Sequence, residues 1–415
     1  MQCIVYNGKV QSNYQKPTGV IVNAGITANS LGVIKGFGRR GIPVVYLDSE
    51  PFCMCRYSRY ISQRLKCQSL RKSETEFINV LLDFGKQIDN KMVIIPTGDR
   101  EVLALSKYKK ELEQFYHLPI PTHEILQKLV NKKIFYKLLA EMQVPHPRTY
   151  FPENTTELAL MGKEIDYPYI IKPAYSSPFQ EEFHKKCFVI NSSQELDWAV
   201  KRLRGKNLEF VMQEIIPGKE VYELYTYFNK ESEPLAICGW DKIRHYPPDF
   251  GSGSFCRSIW RPSAVEQGIQ LLKAIGYYGL AAPELKKDLR DGKYKLLEIN
   301  ARTILQNRLT AACGIDITYI ACLDAIGQPV NDSPSQCNDI LWVDDFVDLL
   351  SCWIHLRRKE IGIGEIVKSL RAKKVHSVVA WDDPAPLIVH ACHLGFGALR
   401  LLIRNSPRVL RKPHG

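Results

Sequence analysis

The hydrophobic pattern predicts an α/β unit at the start of the chain. Residues 19–25 form an apolar run, a helical pattern follows to Arg40, and a second apolar run covers 44–48. A strand, a helix and a strand in this order predict a βαβ unit. Residues 92–99 predict a further buried strand with a polar end, where open α/β sheets bind ligands. The glycines near residue 25 lack dinucleotide-binding spacing, so we predict no cofactor at that turn.

The pattern changes after a helix predicted over 131–142, because the prolines that follow it cannot continue a helix. A second helix is predicted over 192–203, with Ser193 as its expected N-cap. Short strands lie around that helix, at 169–173, 187–190, 210–214 and 222–228. We therefore divide the chain into an N-terminal α/β domain, a middle domain and an accessory helical segment, with bounds 1–125, 126–330 and 331–415.

The segment 296–302 carries the most specific chemistry. Strand alternation places Glu298, Asn300 and Arg302 on one face, and Leu297 and Ile299 on the other. Carboxylate and amide oxygens suit Mg²⁺ or Mn²⁺, and a guanidinium fork suits a phosphoryl group. This face predicts a divalent-cation site beside a phosphate, with an ordinary polar strand face as the alternative.

The strand before this segment supplies a further carboxylate, Glu284. A two-residue turn between the strands would pair Glu284 with Ile299, whereas a three-residue turn, 290–292, pairs it with Glu298 on a shared face. Gly292 supplies the positive φ that the longer turn requires. We predict the second register, with a cation between the two carboxylates, since facing carboxylates otherwise repel each other.

The composition indicates a folded protein with a large core, because 45% of its 415 residues are hydrophobic. The formal charge of +12 favours anionic partners in general, from nucleotides to an anionic membrane surface. Basic clusters at 356–359, 371–374 and 404–412 contribute to it, and we interpret them as solvated surface. They lack interleaved aromatic residues or a recognisable nucleic-acid module, so we expect no nucleic-acid partner.

The compartment is predicted from what the sequence lacks. Its 12 cysteines are scattered without CxxC pairs, and we find neither a signal peptide nor an apolar run long enough to span a membrane. We therefore expect a reduced, cytoplasmic protein. The apolar stretch 386–404 has basic flanks, and a buried terminal helix is preferred over an interfacial one. Peripheral membrane or homo-oligomer contact through 331–415 stays open.

Several features of the middle domain suit a nucleotide. Lys132 opens a predicted helix, Lys172 ends an apolar strand, and Lys186 follows a polar loop, so each can reach a phosphate. The extended segment 213–220 can offer backbone groups to a purine edge, while Glu220 accepts hydrogen bonds from ribose hydroxyls. Each feature alone is also typical of a solvated surface or an edge strand.

Taken in order, these elements resemble the ATP-grasp superfamily from about residue 128 to 327. Within it, the chain resembles the carboxylate-amine ligase group that includes D-aspartate ligase, through the runs Gly239-Trp240-Asp241-Lys242-Ile243-Arg244 and Gly251-Ser252-Gly253. The other residues that carry the resemblance lie at 131–135, 171–173, 213–220, 279–284 and 297–302.

The resemblance implies an ATP-grasp fold, in which a βαβ module precedes two antiparallel-sheet subdomains that clasp ATP, here with a C-terminal helical extension. It implies that Lys132 and Lys172 contact the phosphates, while Lys186 is a further phosphate candidate because it follows the polar loop. Glu214 and the backbone of Ile215 and Ile216 would read adenine.

For the remaining site residues, the resemblance implies that Glu220 binds ribose and that Glu284, Glu298 and Asn300 hold one or two Mg²⁺ (or Mn²⁺) ions. Arg302 would stabilise an acyl phosphate, and Lys242 and Arg244 would contact phosphate or a substrate carboxylate.

The sequence departs from the superfamily pattern in the phosphate-covering loop, where 174–180 contains no glycine. Its closing geometry is therefore not predicted. Ala301 stands where proline commonly precedes the arginine, and Asn131 replaces a frequent acidic residue. Both changes leave the main assignments intact.

The resemblance implies an ATP-dependent ligase that converts a carboxylate to an acyl phosphate and then joins it to an amine. We expect the carboxylate and amine substrates to be small molecules, glycans or peptides. We interpret His184 and His245 as loop residues first and as proton acceptors second. The alternative is a catalytically silent nucleotide-binding protein with a regulatory or scaffolding role.

Overall fold

The computed structural model describes residues 16–23, 28–49, 53–206, 208–248, 250–330 and 335–392, without the side chains of 176–178. Within these residues the strands form sheets of five, seven and four strands. The turn near residue 25 and the basic cluster 404–412 lie outside the described residues, as does the stretch 386–404 beyond residue 392.

The N-terminal sheet is parallel, with the order β3-β2-β1-β4-β5. Its strands are β1 (Val20–Asn23), β2 (Val44–Asp48), β3 (Gln63–Lys66), β4 (Met92–Ile95) and β5 (Tyr116–His117). The helices of this region are α1 (Ala28–Gly38), α2 (Glu74–Gly85), α3 (Asp99–Lys107) and α4 (Lys109–Leu112). The predicted βαβ unit is confirmed, and the polar end of β4 leads directly into α3.

Two helices connect this sheet to the next, α5 (His123–Val130) and α6 (Lys132–Glu141). Asn131 caps α6, because its side chain accepts hydrogen bonds from the backbone N–H groups of Lys133 and Ile134. The predicted helix over 131–142 is therefore confirmed. Its cap fixes Lys132 at the first turn.

The second sheet is antiparallel, with the order β6-β9-β7-β8. Its strands are β6 (Thr149–Tyr150), β7 (Tyr169–Pro173), β8 (Phe188–Ile190) and β9 (Phe210–Glu214), and its helices are α7 (Thr155–Glu164), α8 (Ser176–Phe183) and α9 (Ser193–Leu203). The N-cap of α9 is Ser192, which accepts from Glu195 N–H, so the prediction of Ser193 is wrong by one residue. The glycine-free segment 174–180 continues into α8.

The largest sheet has the order β14-β13-β10-β11-β12-β15-β16. Its first five strands in the chain are β10 (Val221–Phe228), β11 (Pro234–Tyr246), β12 (Ser252–Ser258), β13 (Gly279–Lys287) and β14 (Tyr294–Asn300), and the helices here are α10 (Pro262–Ala274), α11 (Asn307–Ala312) and α12 (Ile317–Ala325). These strands pair in antiparallel fashion.

The segment after residue 330 contains the predicted helices, α13 (Val347–Arg357) and α14 (Ile363–Arg371), but also two strands. The strands β15 (Leu341–Val343) and β16 (Val375–His376) extend the largest sheet beyond β12. Trp342 is fully buried there, which explains why so short a strand is held in the sheet.

The C-terminal segment also reaches back to the first domain. Asp383 accepts hydrogen bonds from Ser58 Oγ (2.7 Å) and Arg59 N–H (3.0 Å), and its carboxylate lies 3.8 Å from the buried Lys35 ammonium. Lys35 Nζ also donates to Val378 O at 2.9 Å. Across the described ranges, no helix combines the length and hydropathy that crossing a membrane requires.

Candidate active site

A cleft of about 480 Å³ lies between the four-stranded and the seven-stranded sheets. Strands β7 and β9 form one wall, and β10, β11, β13 and β14 form the other. Its charged lining residues are Asp99, Lys132, Lys172, Lys186, Glu214, Glu223, Lys242, Glu284, Lys286, Glu298 and Arg302. Ile215, Ile216, Asn300 and His245 line the same space. Most of the predicted site residues are therefore brought together.

Glu284 and Glu298 are paired across β13 and β14, as predicted. The turn that joins the strands is one residue longer than predicted, because Lys287 already pairs with Tyr294 and Asp288 N–H donates to Lys293 O. The register then shifts between Glu284 and Leu285. This β-bulge restores the pairing of the two carboxylates.

The bulge changes the direction of Leu297. Leu285 pairs with Leu296 and Glu284 with Glu298, so Leu297 is the extra residue of β14. The prediction that Leu297 faces away from the site is wrong, since it lines the cleft beside Glu298 while Leu296 is buried. Tyr136 of α6 donates its hydroxyl hydrogen to Leu297 O at 2.5 Å. A side chain from another element thus holds the bulged residue.

The Glu298 carboxylate is surrounded by cations at longer range. Burial raises the pKa of Glu298, but Lys132, Lys186, Lys172 and Lys242 outweigh this and lower it to about 2. It makes no hydrogen bond or ion pair with any residue in the described part of the chain. Glu298 is therefore an ionised carboxylate whose oxygens are available to a ligand.

Two lysines of the cleft, Lys132 at the start of α6 and Lys172 of β7, are fixed by backbone and side-chain contacts. Lys132 N–H donates to Ala174 O at 2.9 Å, and burial lowers the pKa of its side chain. Lys172 Nζ donates to Gln213 Oε1 at 2.9 Å. Burial lowers the pKa of Lys172, but Tyr136 and Glu298 more than compensate, and the pKa stands above its ordinary value. Both ammonium groups line the cleft within the field of Glu298.

Lys242 lies between two carboxylates. Its Nζ is 2.7 Å from Glu284 Oε2 and 3.1 Å from Glu223 Oε2, and the side chains of Lys242 and Glu223 are both about 95% buried (4% and 5% exposed). Burial lowers the pKa of Lys242, but Glu223 and Glu284 raise it by more than burial lowers it. The pKa of Lys242 therefore stands above its ordinary value. Its ammonium is thus held on a predicted metal ligand.

Glu223 is a site residue that the sequence analysis missed. It pairs with Glu284 across β10 and β13, so it stands in one row with Glu284 and Glu298. Burial raises the pKa of Glu223 above its ordinary value, against the opposing effect of Lys242. The available signal was a single carboxylate within the otherwise uncharged strand 221–228.

Arg302 joins the cleft to the first domain. Its Nε donates to Asp99 Oδ1 at 2.7 Å and its Nη2 donates to Asn300 Oδ1 at 3.1 Å. Asp99 lies at the start of α3, just beyond the polar end of β4 where a ligand site was expected. The first domain therefore contributes directly to the floor of the cleft.

Two predicted residues do not line the cleft. Arg244 is buried, and its guanidinium makes a bidentate pair with Asp348 of α13 at 2.9 and 2.5 Å. Bulges on both sides of Arg244 in β11 turn it towards α13. Glu220 accepts a hydrogen bond from Tyr294 Oη and lies 3.5 Å from the guanidinium of Arg261.

The other predicted nucleotide residues stay at the cleft with partners of their own. Glu214 Oε1 accepts from Arg148 N–H at 2.8 Å, and its Oε2 accepts from Arg290 Nη1 at 2.8 Å. Lys186 Nζ lies 3.4 Å from Ser252 Oγ. His184 ends α8 in the left-handed conformation, away from the cleft lining.

The donor set fits a hard divalent cation. Glu298 is ionised and has no direct partner among the described residues, and Glu284 faces it across the strand pair. Within those same residues, no three His, Cys, Asp or Glu side chains are arranged to hold a metal. Asn300 lines the same cleft, and its amide oxygen is a hard donor of the kind that, together with carboxylates, suits Mg²⁺.

Comparison with solved structures identifies the fold. An N5-carboxyaminoimidazole ribonucleotide synthetase in complex with ADP matches with a TM-score of 0.64 at 14% identity, over 84% of this chain and 87% of that one. The L-amino acid ligase of Bacillus licheniformis matches with a TM-score of 0.57 at 16% identity, over 75% of each chain. The protein has the ATP-grasp fold, which confirms the predicted fold class.

Sequence comparison finds similarity to a ligase and to a formyltransferase. The chain is 28% identical to D-aspartate ligase of Enterococcus faecium over 270 residues, which is 60% of this chain and 63% of the ligase. It is 26% identical to a formate-dependent phosphoribosylglycinamide formyltransferase of Sulfurisphaera tokodaii over 188 residues, 42% of this chain and 46% of that protein. The chain thus spans less than two thirds of these relatives. No family model matches it.

Proposed function

We propose that this protein is an ATP-dependent ligase that joins a carboxylate to an amine through an acyl phosphate. The observation that carries the proposal is the ionised Glu298, which has no direct partner among the described residues and lies opposite Glu284 in a cleft that Lys132 and Lys172 also line. The similarity to D-aspartate ligase supports the same reaction class.

In this proposal, ATP occupies the cleft between the two sheets. Ile215 and Ile216 offer their backbone to adenine, with Glu214 held beside them by Arg148 and Arg290. Lys132, Lys172 and Lys186 neutralise the phosphates, which otherwise repel an approaching carboxylate. We assign no substrate contact to Glu220 or Arg244, because their charged groups are paired outside the cleft.

Glu284, Glu298 and Asn300 would hold Mg²⁺ or Mn²⁺, which supplies charge neutralisation between the γ-phosphate and the substrate carboxylate. Lys242 positions Glu284 through the 2.7 Å contact. Arg302, oriented by Asp99, faces the transferred phosphoryl group and stabilises the charge on the acyl phosphate.

In the first step a substrate carboxylate oxygen attacks the γ-phosphorus, and ADP leaves. In the second step the amine nitrogen attacks the acyl carbon, phosphate leaves, and the nitrogen loses a proton. His245 lines the cleft and is our candidate for accepting that proton. The substrates we propose are a small-molecule, glycan or peptide carboxylate and an amine, with amino acids as the first class to examine given the ligase relatives.

The test is a screen for ATP-dependent phosphate release over paired carboxylates and amines with Mg²⁺. Wild type is compared with Glu298→Gln and with Glu141→Gln, an exposed carboxylate on α6 as the matched control. We expect at least one pair to release phosphate and ADP with wild type and the control, and a loss on the order of a hundredfold or more with Glu298→Gln.

Two results would contradict the proposal. Formation of AMP and pyrophosphate would exclude the acyl-phosphate route. ATP binding without phosphate release from any pair would instead favour the silent nucleotide-binding alternative.

A further inference from the structure

Helices α13 and α14 each expose an apolar stripe. On α13 the stripe is Leu349, Trp353 and Leu356, and on α14 it is Ile363, Val367 and Leu370. Both sets follow the i, i+4, i+7 spacing of one helix face. Trp353 is 56% exposed, Ile363 is 68% exposed, and no residue of α14 is buried. Stripes of this kind on consecutive helices mark a contact surface.

The segment that carries these two helices is basic, and most of its basic residues lie just after the last turn of a helix. Residues 347–374 contain seven Lys and Arg against three Asp and Glu. The basic residues are Arg357, Arg358, Lys359, Lys368, Arg371, Lys373 and Lys374. The Arg357 guanidinium lies 4.7 Å from the centre of the Trp353 ring, so cation and apolar stripe are directly adjacent. The cluster that we interpreted as solvated surface therefore borders exposed apolar residues.

The opposite faces of these helices are already used inside the protein. Asp348 of α13 is paired with Arg244 of β11, and Ser351 Oγ donates to His245 O at 2.8 Å. Arg244 Nη2 also lies 3.3 Å from Ser369 Oγ of α14. Both helices are thus attached to the largest sheet by polar contacts, while their apolar stripes remain exposed.

We propose that α13 and α14 form a docking surface for an anionic lipid membrane. The apolar stripes enter the boundary between headgroups and acyl chains, and the lysines and arginines contact anionic headgroups. Trp353 suits this position, because tryptophan is favoured at the membrane interface. A second copy of the chain would bring two surfaces of the same positive sign together, so charge complementarity favours the lipid surface.

The test is sedimentation of the full chain with vesicles of phosphatidylcholine, alone or mixed with phosphatidylglycerol. We expect binding to the mixed vesicles only, decreasing as salt is added. Ile363→Ser/Leu370→Ser removes two of the three apolar side chains of the α14 stripe, and Lys368→Glu/Arg371→Glu reverses two charges at exposed positions. The affinity of each double variant for the mixed vesicles should be lower than that of wild type by roughly tenfold or more.

The matched controls are Leu160→Ser, an equally exposed leucine on α7, and Lys163→Glu beside it. Both should bind like wild type. Equal thermal unfolding of all variants shows that the loss of binding is local, and the charge variant alone decides the matter if the apolar variant unfolds.

Three results would overturn the proposal. The first is no binding of wild type to anionic vesicles. The second is undiminished binding of both double variants, which would assign the contact to another part of the chain. The third is self-association of wild type that Ile363→Ser/Leu370→Ser abolishes, which would make the stripe a protein interface.

Discussion

Glu284 and Glu298 face each other on neighbouring antiparallel strands, and Lys242 makes a direct ion pair with Glu284. Lys242 contacts Glu284 at 2.7 Å, whereas Glu298 has no direct partner within the described residues. The arrangement is asymmetric, because one carboxylate is anchored and the other is available. The ionised state of Glu298 is maintained by the lysines around it. A divalent cation is the simplest group that this pair can receive.

Removing Lys242 should destabilise the fold. Lys242→Met leaves the carboxylates of Glu223 and Glu284 without the ammonium that lies between them. The side chains of Lys242 and Glu223 are about 95% buried there. We expect the free energy of unfolding in urea to fall by about 3–5 kcal/mol. Adding Glu223→Gln should recover part of the loss, because it removes one of the opposed charges. Lys201→Met on the surface of α9 is the control, and an equal effect there would refute the prediction.

Arg244 should matter for stability and not for substrate binding. Arg244→Met leaves Asp348 buried without its bidentate partner, so the free energy of unfolding should fall by about 3–5 kcal/mol. The double variant Arg244→Met/Asp348→Leu should regain most of it, since an apolar pair can replace a buried ion pair. The KM values, measured in the phosphate-release assay, should not change. A tenfold rise in KM with unchanged stability would restore the role that the family resemblance implied.

Tyr136 should influence catalysis through the bulge. Tyr136→Phe removes the hydroxyl that donates to Leu297 O, next to Glu298. We expect a loss of about 1 kcal/mol in stability and a fall of roughly tenfold to a hundredfold in kcat, because the carboxylate loses its fixed position. The control is Tyr167→Phe, because Tyr167 is a partly exposed residue of the middle domain that precedes β7. A kcat equal to that of wild type would show that the bulge does not need this donor.

Glu101 should give the stability a pH dependence. Burial raises the pKa of this carboxyl from 4.5 to about 7 in the folded protein, with hydrogen bonds from Thr97 opposing the shift. The folded protein therefore binds the proton more tightly than the unfolded chain, and stability falls as the pH rises from 4.5 to 7. The fall amounts to at most about 3 kcal/mol.

Glu101→Gln should remove that fall. Relative to wild type, the free energy of unfolding of this variant should increase between pH 4.5 and 7 and stay constant above pH 7. Urea unfolding across this range measures the difference, with the exposed Glu111→Gln as the matched control. A difference that shrinks as the pH rises would contradict the burial of a neutral carboxyl.

The sequence predicted the larger elements and the central pair of the site. Hydrophobic periodicity located α6, β7, β9 and most of β10, because their apolar positions repeat over several residues. The pairing of Glu284 with Glu298 was predicted from a three-residue turn together with the argument that a cation lies between the two carboxylates. The pairing is confirmed, but the structure reaches it through a turn that is one residue longer than predicted and through a β-bulge that the prediction did not contain.

The remaining features depend on contacts between distant parts of the chain. A bulge such as that at Leu297 leaves no composition signal, and the bulges beside Arg244 reverse the direction that alternation assigns. The strands β15 and β16 are three and two residues long, too short for any periodicity to be recognised. Partners such as Asp348 for Arg244 are 104 residues away in sequence, and no local pattern connects them.

Asp383 has a consequence for how this chain can be divided. It lies 325 residues from Ser58 in sequence, yet it serves as a hydrogen-bond acceptor and counter-charge inside the first domain, next to the fully buried Lys35. A shortened protein that ends at residue 330 would leave that ammonium enclosed, with neither Asp383 nor the Val378 carbonyl to receive it. The last part of the chain is thus an internal component of the first, and a fragment made of residues 1–330 would lack a piece of its own N-terminal domain.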